Sequence, residues 1–294
     1  EQAPPAPEPP HAAQPAPAPA DAATLLRQAR EKLAGYRTLK AKMTETVEFG
    51  PRRFKAEGDY LQGADNRVRV DLTVAIGENK GRLLQVSDGL VLWTVYDIGP
   101  KPRITRRDIN QILAAAKGAD AKATQLAELG LGGMPALLAS IERSMDFKPP
   151  LTAEVEGRTF YVLEGEWKPE LRQQFQNQAQ QLPNPTTEQR PLPAHVPDLV
   201  RIYLDAETFF PYRIRYLKRS GAPGVEPSPV LTLDFRDIVV NASLDPSEFQ
   251  YVADAEAEVA DITSYYLQQL KGDAGQGPGT GGQGSAAGST PPGQ

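Results

Sequence analysis

Side chains able to do covalent or metal chemistry are few and far apart in this chain. It has no cysteine and two histidines, His11 and His195, each in a proline-rich stretch. Without cysteine there is no disulfide, no thiolate metal site and no Cys nucleophile. His195, between Ala194 and Val196, reads as a solvated histidine. No H-E-x-x-H pair, no G-x-S-x-G elbow and no phosphate-cradling glycine loop occurs. Carboxylates are plentiful but scattered, as on any solvated face, so no catalytic residue, metal or cofactor is expected. The formal net charge is -5 over 294 residues, which argues against a nucleic-acid footprint. The basic pairs Arg52-Arg53 and Arg106-Arg107 are too few to supply one. What remains is the chemistry of apolar surface.

That surface is densest from Val86 to Asp97, V-S-D-G-L-V-L-W-T-V-Y-D. Ser87-Asp88-Gly89 is a turn signal between two β-rich runs, the signature of a β-hairpin. Its second strand is apolar on both faces, Val91, Trp93 and Val95 on one and Leu90, Leu92 and Tyr96 on the other. Such a strand must be covered twice.

The elements around the hairpin follow from periodicity. Residues 1–20 are Pro and Ala, an extended spacer expected to be disordered. Asp21 caps a helix with Leu25, Leu26, Ala29, Leu33 and Tyr36 on one face. From Thr38 the period is two: Leu39, Ala41, Met43, Val47 and Phe49 share a face that only Glu45 breaks. Phe54 to Tyr60 and Val68 to Val74 continue the alternation, giving a meander of about five antiparallel strands. Residues 99–148 break this rhythm. Thr105 with Asp108 reads as a capping box, and Met134, Leu137, Leu138, Ile141 and Met145 form an apolar helical stripe. Strands resume at 151–165, 200–218 and 230–240, interrupted at 168–197 by a Gln-rich helix and a proline-rich loop. A terminal helix with Val259, Ile262 and Tyr266 in register precedes a Gly-rich tail at 272–294, also expected to be disordered. The expected fold is mainly β with α+β character. It is a strongly curved antiparallel sheet, a half-open barrel, with helices on its concave face, in a single domain over 21–271. The trough between sheet and helices could hold an apolar ligand or be filled as an ordinary core.

Three motifs, in order, resemble the LolA-type outer-membrane lipoprotein carrier family. They are Ser87-Asp88-Gly89 with Leu92-Trp93 and Tyr96-Asp97; Tyr203-Leu204-Asp205 with Phe210-Pro211-Tyr212-Arg213; and Leu233 to Asn241 with Leu244-Asp245 and Phe249. Each has a sufficient structural role, since Pro211 starts a strand and Asp245-Pro246-Ser247-Glu248 reads as a helix start with Glu248 bonding back. The resemblance covers roughly 21–260.

Members of that family hold lipoprotein acyl chains between curved sheet and helical lid. The resemblance implies a non-enzymatic, monomeric periplasmic carrier, with an inner-membrane exporter and an outer-membrane acceptor as partners. It also implies a cavity lined by Phe49, Tyr60, Val70, Leu72, Trp93, Leu137, Leu138, Ile141, Tyr212, Ile214 and Tyr216. Two features depart from the family: Ala64-Asp65 stands where the carriers have a lid-latching Arg-Pro, and an extra residue separates Trp93 from Tyr96. The chain begins at Glu1 without Met, as an exported protein does after losing a signal peptide or a lipidated N-terminus, and as an arbitrary fragment would. The alternative is an envelope-stress sensor, an interaction module on the same fold without transport, docking a partner through 168–197.

Overall fold

The computed structural model describes residues 20–273 apart from 51, 77–78, 119–121, 123–125, 127–128, 181–191, 194–195, 221 and 223. Both terminal tails, His11, Leu182 and His195 lie outside the described residues. Helix α1 (Ala22–Ala34) starts where expected, the Asp21 carboxylate accepting from the Thr24 N–H at 2.8 Å. Six strands follow: β1 (Leu39–Phe49), β2 (Arg52–Gln62), β3 (Arg67–Ile76), β4 (Asn79–Asp88), β5 (Val91–Asp97) and β6 (Arg103–Asp108). Next come α2 (Ile109–Ala115), α3 (Gly133–Ser144), β7 (Met145–Phe147), β8 (Leu151–Val155), β9 (Arg158–Trp167) and α4 (Pro169–Gln180). The chain closes with β10 (Leu199–Asp205), β11 (Pro211–Lys218), β12 (Ser228–Val240), a 3-10 turn at Pro246–Phe249, β13 (Val259–Asp261) and α5 (Thr263–Asp273).

All the strands join one curved, unclosed sheet in the order β13-β6-β5-β4-β3-β2-β1-β12-β11-β10-β9-β7, with β8 also on β9. Every pairing is antiparallel except β13 on β6. Strand β1 is the middle of the path. Its register puts Ala41 beside Tyr60 of β2, and Met43 beside Phe235 of β12. Helices α1 and α3 lie on the inner face and are tied to each other by an Arg30–Glu142 ion pair at 3.0 Å. Beneath them Leu26, Leu33, Leu39, Leu138, Leu163, Ile202 and Ile214 form the principal core.

Three expectations are corrected here. Residues 103–108 are a strand, not the approach to a helix, and Thr105 lies within it. The helix cap is Asp108 itself, whose Oδ1 accepts from Gln111 N–H at 2.9 Å. Only Ile104 gives β6 an aliphatic anchor. Its arginines supply the rest by lying over rings, Arg103 on Tyr96 at 4.7 Å and Arg107 on Tyr266 at 5.4 Å. Second, Val259–Asp261 is strand β13 on the edge of β6, and the last helix begins at Thr263. Third, the Asp245 side chain caps Ser247 N–H at 2.8 Å, but Glu248 does not reach back. Its Oε2 is buried without a hydrogen-bond partner.

Candidate functional site

Two of the three motifs close β-turns, and the third is the end of β12 with the 3-10 turn that follows it. Asp88 Oδ1 accepts from Leu90 and Val91 N–H at 2.8 and 2.9 Å, closing the β4–β5 hairpin, with Gly89 at φ +98°. Asp205 Oδ1 accepts from Thr208 N–H at 2.7 Å and Thr208 Oγ1 at 2.8 Å, turning β10 into β11. Asp65 and Asn66 both have positive φ, 56° and 61°, the backbone of a tight hairpin turn that Asn and Asp tolerate. The arginine-proline pair is absent there, and two glutamines nearby bond to the chain around the start of α3.

Both glutamines are on the inner face. Gln62, at the end of β2, accepts from Tyr60 Oη at 2.9 Å and from Met134 N–H at 3.1 Å, the first turn of α3. One side-chain oxygen therefore holds an orphan helix donor to the sheet. Gln85 of β4 donates through Nε2 to Leu129 O at 2.9 Å, just ahead of that helix. Gly133 lies at φ +62°, and a Cβ on it would overlap the Gln62 amide. The two glutamines pin the approach to α3 at both ends.

All but one of the expected cavity residues fall into four groups. Tyr60, Leu72, Leu138, Ile141 and Ile214 are buried on the inner side, with Tyr60 edge-on to Phe235 at 5.9 Å between ring centroids. Burial also holds the Tyr60 hydroxyl neutral, well above the ordinary tyrosine range. Val70, Leu137 and Tyr216 are half-buried against the same core, and the Tyr216 hydroxyl is pushed up to about 12 by desolvation. Tyr212 sits at the register break where β11 meets β10, held by Phe160 at 5.8 Å, Phe210 at 5.6 Å and the Arg158 guanidinium at 4.8 Å. Phe49 ends β1 opposite Arg52, and its side chain lies outside the described residues.

Trp93 does not join them. It stands on the outer face of β5 with Leu84, Val86, Val95 and Ile104, under Tyr251, Ala253 and Ala257 of the C-terminal segment. The strand is covered twice, as its two apolar faces require. One cover is the principal core on Leu92, and the other is the chain between Phe249 and Val259. The alternation of β5 shows two faces but not which one meets the helices.

Beneath α1 and α3 the inner face is filled: Leu26, Leu138 and Ile214 are each 0% exposed. Away from the helices it opens. Val47 of β1, Val74 of β3, Leu83 of β4 and Leu231 of β12 are half-buried, and Phe54 of β2 is 38% exposed. Between the filled and the open part stands Glu45. On β1 it follows Met43 and precedes Val47, and its cross-strand neighbours are Ala56 and Leu233. The residue is 6% exposed, and no hydrogen bond or ion pair reaches its carboxyl among the described residues. Desolvation pushes that carboxyl up to about 7. The sequence marks this residue as the single break in an apolar face; alternation alone did not reveal that it is buried and unpaired.

Two clefts lie elsewhere. One of about 630 Å³ is bordered by Arg37, Thr38, Asn241 and Ser243, and one of about 340 Å³ by Pro102, Arg103 and Glu258. Both are open to solvent and neither lies between the sheet and α3.

No protein-family model matches the chain, and no curated protein matches it. Solved structures do. Its fold neighbours include a LolA superfamily protein. That structure, from Nitrosomonas europaea, is 13% identical over 79% of this chain and 99% of its own, with a TM-score of 0.30. The Pseudomonas aeruginosa MucA/MucB complex matches at 16% identity over 82% of this chain, TM-score 0.39; the chain spans 64% of its length. An uncharacterized conserved protein from Thermus thermophilus matches at 9% identity, over 82% of this chain and 98% of its own, TM-score 0.43. Likeness of this size carries nothing about activity.

Proposed function

We propose that this protein is a soluble periplasmic carrier that shelters acyl chains of lipoproteins or related lipids on the inner face of its sheet. The observation that carries the reading is the continuity of that face. A single apolar surface runs from beneath α1 and α3 out to Val47, Phe54, Val74 and Leu231, where it is left half-covered. The three sequence motifs and the two glutamine contacts around the start of α3 support it. Because the part under the helices is filled, loading requires α3 to lift. Withdrawing Met134, Leu138 and Ile141 costs about 2 kcal/mol each. About eight methylenes of a bound chain offset that, at about 0.8 kcal/mol per methylene. An acyl chain is long enough; a short fatty acid is not.

Native mass spectrometry after gentle purification tests the proposal. The carrier reading expects a co-purified lipid or lipopeptide, or its uptake on mixing. A protein that is reproducibly empty and binds neither ends it.

The filled interior favours a second reading, an interaction module of an envelope-stress pathway that docks a partner and transports nothing. Helix α4 is its candidate surface, anchored by Phe175 edge-on to Trp167 at 4.9 Å. Deleting residues 168–197 then abolishes partner capture; under the carrier reading it spares lipid binding.

A further inference from the structure

We infer that the trough is selective for a lipid whose apolar chain carries a primary amine, and that Glu45 is the residue that recognises the amine. This rests on the trough being a binding surface and adds the head group it takes. Glu45 is 6% exposed, and the residues beside it on the same face, along β1 and across to β2 and β12, are apolar. Its immediate neighbours, Met43, Val47, Ala56 and Leu233, offer no donor. Among the described residues no lysine or arginine forms an ion pair with it; Lys42 pairs instead with Asp59, Lys55 with Glu57 and Arg53 with Glu48. A poorly solvated carboxyl without a partner is costly to ionise and holds its proton unless a cation compensates the charge.

The place of Glu45 along the trough indicates what that partner is. On one side the face passes under the helices; on the other it opens at Val47, Phe54 and Leu231. A ligand lying along the open part puts a hydrocarbon against those side chains and its end group at the carboxyl. An ammonium there makes a charge-assisted hydrogen bond in a poorly solvated setting, where such bonds are strong. A fatty acid of the same length presents a like charge to Glu45 and is disfavoured. A neutral chain gains only the apolar contact.

The test is displacement of the fluorescent probe N-phenyl-1-naphthylamine at pH 8 by dodecylamine and by dodecanoate, both below their micellar concentrations. Dodecylamine is expected to displace the probe at about tenfold lower concentration than dodecanoate. Glu45→Gln removes the preference while the probe still binds, and Glu45→Asp, which keeps the charge, retains part of it. Circular dichroism confirms that each variant is folded. Equal potency of the two ligands on the wild type, or an undiminished preference in Glu45→Gln, overturns the inference and leaves the carrier reading standing. Failure of the probe and both ligands to bind overturns the two together.

Discussion

The Trp93 indole packs on the Tyr251 ring, centroids 5.4 Å apart at 52°, on the outer face of the sheet and away from the helices. The pair fastens the C-terminal segment over β4 and β5, with the Arg106 guanidinium 5.9 Å from the indole centroid. Trp93→Ala removes a half-buried aromatic anchor, and about 2 kcal/mol of stability should go with it. Urea denaturation measures the loss, and amide exchange should quicken at 250–257. Binding of an acyl-chain probe should be unchanged. A variant that keeps its stability but loses the probe would place the indole in the trough after all.

Gln62 makes a different kind of contact, holding a helix N-terminus to a strand through one oxygen. In Gln62→Ala the Met134 N–H loses its acceptor, and an unsatisfied, partly buried donor costs about 1–3 kcal/mol. The Tyr60 hydroxyl loses the same acceptor, so the expected outcome is faster hydrogen exchange at the start of α3, faster uptake of an acyl-chain probe, and a global stability lower by at least that amount. Uptake at the wild-type rate would mean that this contact does not gate the trough.

Much of the architecture is legible in the sequence because local chemistry and global packing agree. Asp21 caps α1, Asp88-Gly89 turns the hairpin, and Pro211 opens a strand where no ladder N–H is needed. Strand β6 is hidden because arginine planes over Tyr96, Trp93 and Tyr266 do the packing that aliphatic side chains usually do, so the period-two pattern is missing. Strand β13 is three residues long and exposed, too short to leave a pattern. The face of Trp93 is set by a segment some 160 residues later in the chain (its contact Tyr251), which no local window contains. Glu45 is visible as an exception, but its isolation depends on β2 and β12 bringing only Ala56 and Leu233 beside it.

Gly89 tests the hairpin. It lies at φ +98°, and a Cβ there would overlap the Asp65 carbonyl of the neighbouring β2–β3 turn. Gly89→Ala should cost at least about 1–2 kcal/mol from backbone strain alone, with the turn-on-turn contact pushed apart as well. Thermal unfolding gives the magnitude. A stability equal to wild type would show that the two turns are not in contact.

Glu45 should leave a signature in the pH dependence of stability. In the unfolded chain its carboxyl titrates near 4.5, and in the folded protein burial moves it to about 7, with no charged neighbour on β1, β2 or β12 to offset the move. Below 4.5 both states hold the proton and the residue costs nothing by this route. Between 4.5 and 7 the folded state keeps a proton that the unfolded state releases, so stability falls as pH rises. Above 7 both are ionised and the cost is complete, about 3 kcal/mol at about 1.4 kcal/mol per pH unit of separation. Glu45→Gln cannot ionise. Its melting temperature relative to wild type should therefore climb by several degrees between pH 4 and pH 8.5. Since any fixed cost of the new amide is the same at every pH, the slope of that difference is the quantity to read. A flat difference across the range would mean that the carboxyl is solvated or paired, and a rising one would mean that it stands alone in the apolar face.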